Sequence, residues 1–424
     1  MRPADPVAPE LAESVRVFGR IGLLSFGGPA AQIALMHREL VEARPWLSER
    51  RFLDALSFCM LLPGPEAMQL ATYAGWRLHG VRGGLAAGLL FVLPGAAVIV
   101  GLAALYLTYG DVPLVAAAFL GVKAAVLAVV VEALLRVGRR ALAGAEHWII
   151  AGAAFVALFF LDLPYPLVIA AAASWGFARA RPGPEAAVPV TVGARRTGVT
   201  VATWLAVWLV PLAVLALVAP ATVLDEIGRF FSVLATLTFG GAYAVLAYMA
   251  QDAVEAYGWL SAREMVDGLG LAETTPGPLI LVTAFVGFLA AARDGGTLLW
   301  GAAGAGVTLW ATFAPCFLWI FAGAPYIDWL GSRPRLRAAL AGVTAAVVGV
   351  IANLSLWFAL HVLFEKVDES SLGPGRLWVP DLATLDWRAA FVAAVAGLLL
   401  LRLHWGLGKV LCICAGLGLV LSFP

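Results

Sequence analysis

The chain has 424 residues, of which 62% are hydrophobic and only 13% charged, with a formal net charge of +1 and a mean hydropathy of +0.91. That little charge cannot coat a soluble protein of this length, and the near-zero balance gives no electrostatic footprint for a nucleic-acid partner. Apolar runs of about 20 residues recur, the length a bilayer asks of a helix. The two-residue alternation of a barrel strand is absent. The chain therefore reads as an all-α polytopic membrane protein whose surroundings are the lipid bilayer of the cell inner (plasma) membrane.

The first residues, MRPADPVAPELAESV, are polar and lack a signal-peptide pattern, which places the N-terminus in the cytoplasm. Four short apolar helices follow, at about 11–25, 29–43, 48–62 and 66–79. The interruptions are Gly27-Gly28-Pro29 and Pro63-Gly64-Pro65. Proline removes a backbone donor and clashes with the preceding turn, and glycine admits unusual dihedrals, so each break ends one helix. Pro29 and Pro65 also suit the first turn of the next. Five crossings are expected at roughly 83–107, 113–136, 147–161, 164–178 and 199–219, the third and fourth short enough to form a shallow hairpin instead. The polar, Pro-rich stretch 179–198 reads as a cytoplasmic linker.

Beyond the linker the chain repeats itself. Residues 18–65 align without a gap to residues 231–278, a shift of 213, with 20 identities in 48 positions. Phe26-Gly27-Gly28 meets Phe239-Gly240-Gly241, Trp46-Leu47-Ser48 meets Trp259-Leu260-Ser261, and Pro63-Gly64-Pro65 meets Pro276-Gly277-Pro278. After an eight-residue slip, Pro94 meets Pro315. The organisation predicted is a first membrane repeat at 1–178, the linker at 179–198, and a linking span plus second repeat at 199–424. Arg and Lys in short loops mark the cytoplasm. They flank the broken segments of the first copy, and an odd number of crossings then starts the second copy outside. Two inverted-topology repeats with broken or re-entrant helices are the architecture of many secondary transporters.

Non-helical backbone at membrane depth is tolerated only inside protein or beside a water-filled cavity. A helix that starts there aims free N–H groups and about half a positive charge at the gap. Four such starts, near Pro29, Pro65, Ala242 and Pro278, suit a small inorganic oxyanion without any buried Arg. The candidate binding residues are Ser25, Phe26, Gly27, Gly28, Pro29, Pro63, Gly64, Pro65, Gln69, Thr238, Gly240, Gly241, Thr275, Pro276, Gly277 and Pro278. Lys123 joins them as an intramembrane cation that attracts the anion or pairs with a carboxylate. Glu66, beside the first Pro-Gly-Pro, and Glu273, three residues before the second, are candidate proton-coupling groups. The bland alternative is that Gly and Pro only permit kinks and close packing.

The five histidines are scattered, and neither a His-Glu-x-x-His nor a Gly-x-Ser-x-Gly motif occurs, so no enzyme, metal or cofactor is expected. The four cysteines lie in apolar runs and read as small buried hydrophobes. Nothing in the pattern decides between a monomer and a homodimer.

The stretches SFGGPAAQIALMHREL, LLPGPEAMQ, TFGGAYAVL and AETTPGP resemble the paired hallmarks of the chromate transporter family, in its long two-domain form. The resemblance covers nearly the whole chain and implies efflux of chromate from the cytoplasm, with sulfate as a related ion. Two positions depart from it: Pro29 is echoed by Ala242, and Glu273 stands where relatives carry Gln. Moving one charge through 100 mV is worth about 2.3 kcal/mol, so a dianion leaving a negative interior gains about 4.6 kcal/mol. Membrane potential alone suffices for export, and exchange against protons or anions is an optional addition. An anion channel is the rival reading, since inverted repeats with helix-end anion sites serve channels too.

Overall fold

A computed structural model describes residues 9–422, apart from residues 27, 111, 181–192, 240–241, 328, 330–332 and 373–374. The architecture is all-α with one small hairpin. In the first half α1 (Leu11–Leu24), α2 (Gly28–His37), α3 (Glu49–Cys59) and α4 (Glu66–Tyr109) are followed by α5 (Pro113–Ala141), α6 (Ala145–Phe159), α7 (Tyr165–Arg179) and α8 (Ala194–Val218). In the second, α9 (Val223–Leu237), α10 (Ala242–Gln251), α11 (Ala262–Thr274), α12 (Val282–Gly295), α13 (Leu298–Gly323) and α14 (Pro334–Leu363) precede β1 (Val367–Leu372), β2 (Gly375–Pro380), α15 (Trp387–Gly397) and α16 (Leu407–Ser422). Among the described residues, five segments are long and apolar enough to cross a membrane: α4, α5, α8, residues Leu298–Tyr326 and α14.

The duplication is visible element by element. In both copies a ten-residue helix runs into a five-residue π turn, Arg38–Glu42 and Asp252–Ala256. In both, the shared Trp-Leu-Ser then caps the next helix. Ser48 accepts from the Arg51 amide, and Ser261 and Glu264 form a reciprocal capping box. The limbs after each Pro-Gly-Pro also correspond. The continuous element α4 is two limbs that fold back at His79 and Gly80, where the glycine takes φ +61°. Its counterpart breaks into α12 and α13 at Gly296, left-handed at φ +67°. Pro94 and Pro315 sit inside the outer limbs.

The chain forms two compact units, each assembled from both sequence halves. Unit 1 comprises Met1–Ala104, Glu185–Ala242 and Thr275–Arg333. Phe52, Phe91, Phe231, Phe285 and Phe288 are wholly buried in it. There α8 leans on α13 through Trp208, Ala314 and Leu318, while Trp204 stacks on Phe317 and meets Phe321 at a tilt. Most of α8 is otherwise exposed and apolar, as a lipid-facing span requires.

Unit 2 comprises Leu105–Pro184, Tyr243–Thr274 and Pro334–Pro424. In it the two terminal helix pairs are exchanged between copies: α6 and α7 of the first half pack on α14 of the second, and α15 and α16 of the second pack on α5 of the first. Backbones approach closely along these seams. A Cβ on Gly121 would lie 1.8 Å from the Cys414 carbonyl oxygen, which only glycine allows. The hairpin β1–β2, absent from the sequence expectation, is antiparallel and pairs Val367 with Pro380. Arg376 on β2 secures it, donating its backbone N–H to Phe160 and its guanidinium to Asp162 (2.8 Å) and Glu255 (3.0 Å). Cys59, Cys316 and Cys414 are buried, but Cys412 is exposed on α16, contrary to the expectation for all four. Successive helix faces explain it: two residues apart on a helix, Cys412 and Cys414 point to different sides.

Outside the spans, α2 ends at His37, whose Nδ1 lies 3.0 Å from Glu42 Oε1 and whose Nε2 lies 2.7 Å from Glu49 Oε2. Only an imidazolium donates at both nitrogens. The bond to Glu49 leads in raising the His37 pKa above its usual value, with both carboxylate charges helping and desolvation opposing. Stability from this clamp is therefore complete below the unfolded value of about 6.5 and is lost as pH rises through the higher folded value. Thermal unfolding across that window should show wild type losing stability with rising pH relative to His37→Gln. Parallel profiles for the two would rule the clamp out.

Candidate functional site

The breaks come together within unit 1, and they do so reciprocally. The Gly64 amide, in the first Pro-Gly-Pro, donates to the Thr238 carbonyl at 2.8 Å. The Gly277 amide, in the second, donates to the Ser25 carbonyl at 2.8 Å. Shifting each residue by 213 turns one bond into the other. Each Pro-Gly-Pro of one copy is thus tied to the residue before the Phe-Gly-Gly of the other. Both glycines hold positive φ, +120° at Gly64 and +93° at Gly277, so neither position suits a side chain. Space forbids one as well at Gly64, where a Cβ would lie 2.7 Å from Gln69 Nε2 and 2.9 Å from Cys316 Sγ.

Two glutamines complete the crossings. Gln69 Nε2 donates to the Pro63 carbonyl at 2.7 Å. Gln32 Nε2 donates to the Gly277 carbonyl at 2.7 Å and to the Ser25 carbonyl at 3.3 Å. Both glutamines come from the first copy, since their counterparts are Val282 and Val245. One Pro-Gly-Pro is therefore held by an amide of its own copy and the other by an amide of its neighbour. Gln32 was not among the residues expected at the site. Its only signal is a lone amide inside the apolar run Ala30–Met36, which periodicity does not weigh.

The remaining expected residues divide. Pro63, Pro65, Pro276, Pro278 and Thr275 are buried at the crossings, whereas Phe26 is 46% exposed. Ser25 and Thr238 are wholly buried, but their hydroxyls donate to the carbonyls of Ile21 and Leu234 one turn back. Those protons, like the Gly64 and Gly277 amides, are committed inside the protein. Donors at the breaks are instead the first-turn amides of the helices that start there, which have no intrahelical acceptor. Three starts agree with expectation, α2 at Gly28, α4 at Glu66 and α10 at Ala242. The fourth does not: after Pro278 a buried 3₁₀ turn, Leu279–Leu281, precedes α12. Gly28 takes φ +80° with open space around its Cβ position, while Pro29 is half-buried in the first turn. Glu66 is half-buried at the first position of α4, where the helix dipole favours a carboxylate. Gly27, Gly240 and Gly241 lie outside the described residues.

Lys123 and Glu273 belong to unit 2. Lys123 Nζ lies 3.1 Å from Asp267 Oδ2, which also accepts from the Tyr106 hydroxyl at 2.7 Å. Of the two roles anticipated for Lys123, carboxylate pairing is realised. Asp267 was missed, because its counterpart Asp54 is an exposed surface residue paired with Arg50. Glu273, also buried, accepts from the Tyr243 hydroxyl at 2.8 Å. Glu132 pairs with Arg136 one turn along α5. Among the described residues no group of three His, Cys, Asp or Glu is arranged to hold a metal ion.

Long apolar spans with buried, mutually bonded helix breaks define a multi-pass helical membrane protein. The family model described as "Chromate transporter" matches residues 12–177 and 225–420, and the chain belongs to the chromate transporter family. It is 29% identical to a "Probable chromate transport protein" of Synechococcus elongatus over 95% of this chain and 91% of that one. It is 34% identical to a "Chromate transport protein" of Pseudomonas aeruginosa over 84% of this chain and 82% of that one. An "Uncharacterized transporter YwrA" of Bacillus subtilis is 29% identical over 35% of this chain but 86% of its own length. No solved structure matches.

Removing one partner of a buried ion pair strands the other charge, at a cost of about 3–5 kcal/mol. Lys123→Met should therefore lower the unfolding temperature in detergent markedly, and Asp267→Asn in the same chain should recover most of the loss. An unchanged melting temperature for the single variant would mean that the pair is not closed in the protein.

Proposed function

We propose that the chain is a secondary transporter that exports a tetrahedral oxyanion, chromate with sulfate as a related ion, from the cytoplasm. The observation that carries this reading is the reciprocal pair of bonds Gly64–Thr238 and Gly277–Ser25. It holds broken backbone in a buried setting, next to helix starts whose amides need acceptors. An oxyanion supplies acceptors in several directions and takes advantage of the positive end of each helix. Relatives named as chromate transport proteins make chromate the first ion to test.

The second support is the orientation of the copies. Arginines flank the breaks of the first, and the Arg-rich segment after α13 precedes a span of the second, as two oppositely oriented repeats require. In such a transporter the broken helices are re-entrant or discontinuous and the N-terminus is cytoplasmic. Outward movement of a dianion is downhill in a normally polarised cell by about 4.6 kcal/mol at 100 mV. The proposed coupling groups are Glu66, at a helix start facing an arriving negative charge, and Glu273, held by Tyr243. Lys123 is the proposed attracting cation whenever Asp267 is neutral.

Uptake into inverted vesicles, which present the cytoplasmic face, tests the reading with labelled chromate, sulfate, phosphate and chloride while potential and pH are set independently. Chromate should accumulate when the lumen is made positive. Movement of none of these ions would sink the anion assignment, and channel-like turnover without saturation would replace transporter by channel. In the same vesicles Glu66→Gln should displace the pH dependence of chromate uptake. Full activity with an unaltered pH profile would remove Glu66 from the coupling role.

A further inference from the structure

Both glutamines at the crossings turn the same end of the amide inward. Gln32 Nε2 faces two carbonyl oxygens and Gln69 Nε2 faces one, which fixes the assignment, because a carbonyl accepts only from N–H. Each side-chain oxygen therefore points the other way. Gln69 is fully buried and Gln32 is 1% exposed, and neither Oε1 has a hydrogen-bond partner. Gln69 lies within four residues of the α4 start and Gln32 within five of the α2 start. The Ser25 and Thr238 hydroxyl protons are committed to helix carbonyls, and the unpartnered atoms of Gln32 and Gln69 are acceptors.

Backbone amides at the helix starts ask for a guest with acceptor oxygens, and Gln32 and Gln69 ask for a guest with a hydrogen. A fully ionised tetrahedral dianion offers only acceptors and would meet both amide oxygens with like polarity. We propose that Gln32 and Gln69 are specificity-determining residues that select a hydrogen-bearing oxyanion, hydrogen chromate in place of chromate, over dianions that carry no hydrogen. The inference rests on the anion site proposed above and narrows its substrate from a dianion to a hydrogen-bearing monoanion, with sulfate binding more weakly. Chromate takes up its first proton near neutral pH, whereas sulfate and selenate do so only in strong acid. Chromate and selenate are otherwise alike in shape and charge. A site built around hydrogen bonds to a guest rejects an analogue lacking the hydrogen far more strongly than a merely fitted pocket does.

The test compares labelled chromate and selenate binding to the purified full chain in detergent at pH 6 and pH 8. Chromate affinity should fall at least tenfold over that interval, and selenate should bind at least tenfold more weakly than chromate at pH 6. Among the described residues, the Cys316 thiol on α13 lies against Gln69, Glu66 lies three residues before it on α4, and Cys59 on α3 lies near Glu66. Their titration would move both ions together, so the difference between the ions isolates the proton on the guest. Gln69→Leu and Gln32→Leu should shrink the chromate preference, but the wild-type comparison stands even if those variants fail to fold. Equal affinities for the two ions, or chromate binding indifferent to pH, would overturn the role of the glutamines while leaving an anion site intact. Binding of neither ion at either pH would instead remove the anion site, and this inference with it.

Discussion

Backbone N–H and C=O groups shut away from water must find their partners inside the protein. This constraint governs the buried broken region of unit 1. A chain that interrupts its helices with Gly-Pro and Pro-Gly-Pro leaves amides and carbonyls without helical partners. The two copies resolve this by partnering each other: the glycine amide of one break bonds the carbonyl of the opposite break. Neither bond forms within a single copy. Positive φ at Gly64 and Gly277 is the local cost, and it explains why the repeated motif keeps Gly between its two prolines.

Symmetry stops at the backbone. The side chains that brace the two breaks are both from the first copy, and the second copy substitutes valine at each place. The helix starts differ too. The first Pro-Gly-Pro opens directly into α4 with a carboxylate at its first position, and the second opens into a buried Leu-Ile-Leu turn. The two copies thus share a backbone plan and differ in the side chains that brace it. In unit 2 the asymmetry runs the other way: Asp267 of the second copy is buried against Lys123, while its first-copy counterpart Asp54 is a surface residue.

Much of this was legible in the sequence. Apolar length anticipated α5 and α8, whereas 147–161 and 164–178 form the shorter helices α6 and α7; Gly and Pro marked the starts of α2 and α4; and the 213-residue shift identified which elements correspond. What stayed hidden was whatever depends on distant parts of the chain. The hairpin β1–β2 is held by Arg376 reaching Asp162 and Glu255, contacts that no local pattern announces. Gln32 looks like a stray amide until Gly277 arrives beside it. Ser25 and Thr238 lie at the crossings with their hydroxyls bonded to their own helices, because a hydroxyl in a helical turn can bond its own backbone. The compact units were equally invisible, since each is assembled from both halves whereas repeats read along the chain suggest one body per half.

The exchange of helix pairs in unit 2 has a consequence for how the protein is made. When α6 and α7 leave the ribosome, the helix they pack against, α14, begins only at Pro334 and has not yet been translated. The first half must wait in the bilayer with that face against lipid or an insertase, and it settles only as synthesis ends. A one-repeat chain built to the same plan would have no such helix in its own sequence. It would have to meet a second molecule, and fusing two copies into one polypeptide makes that meeting obligatory and fixes its stoichiometry.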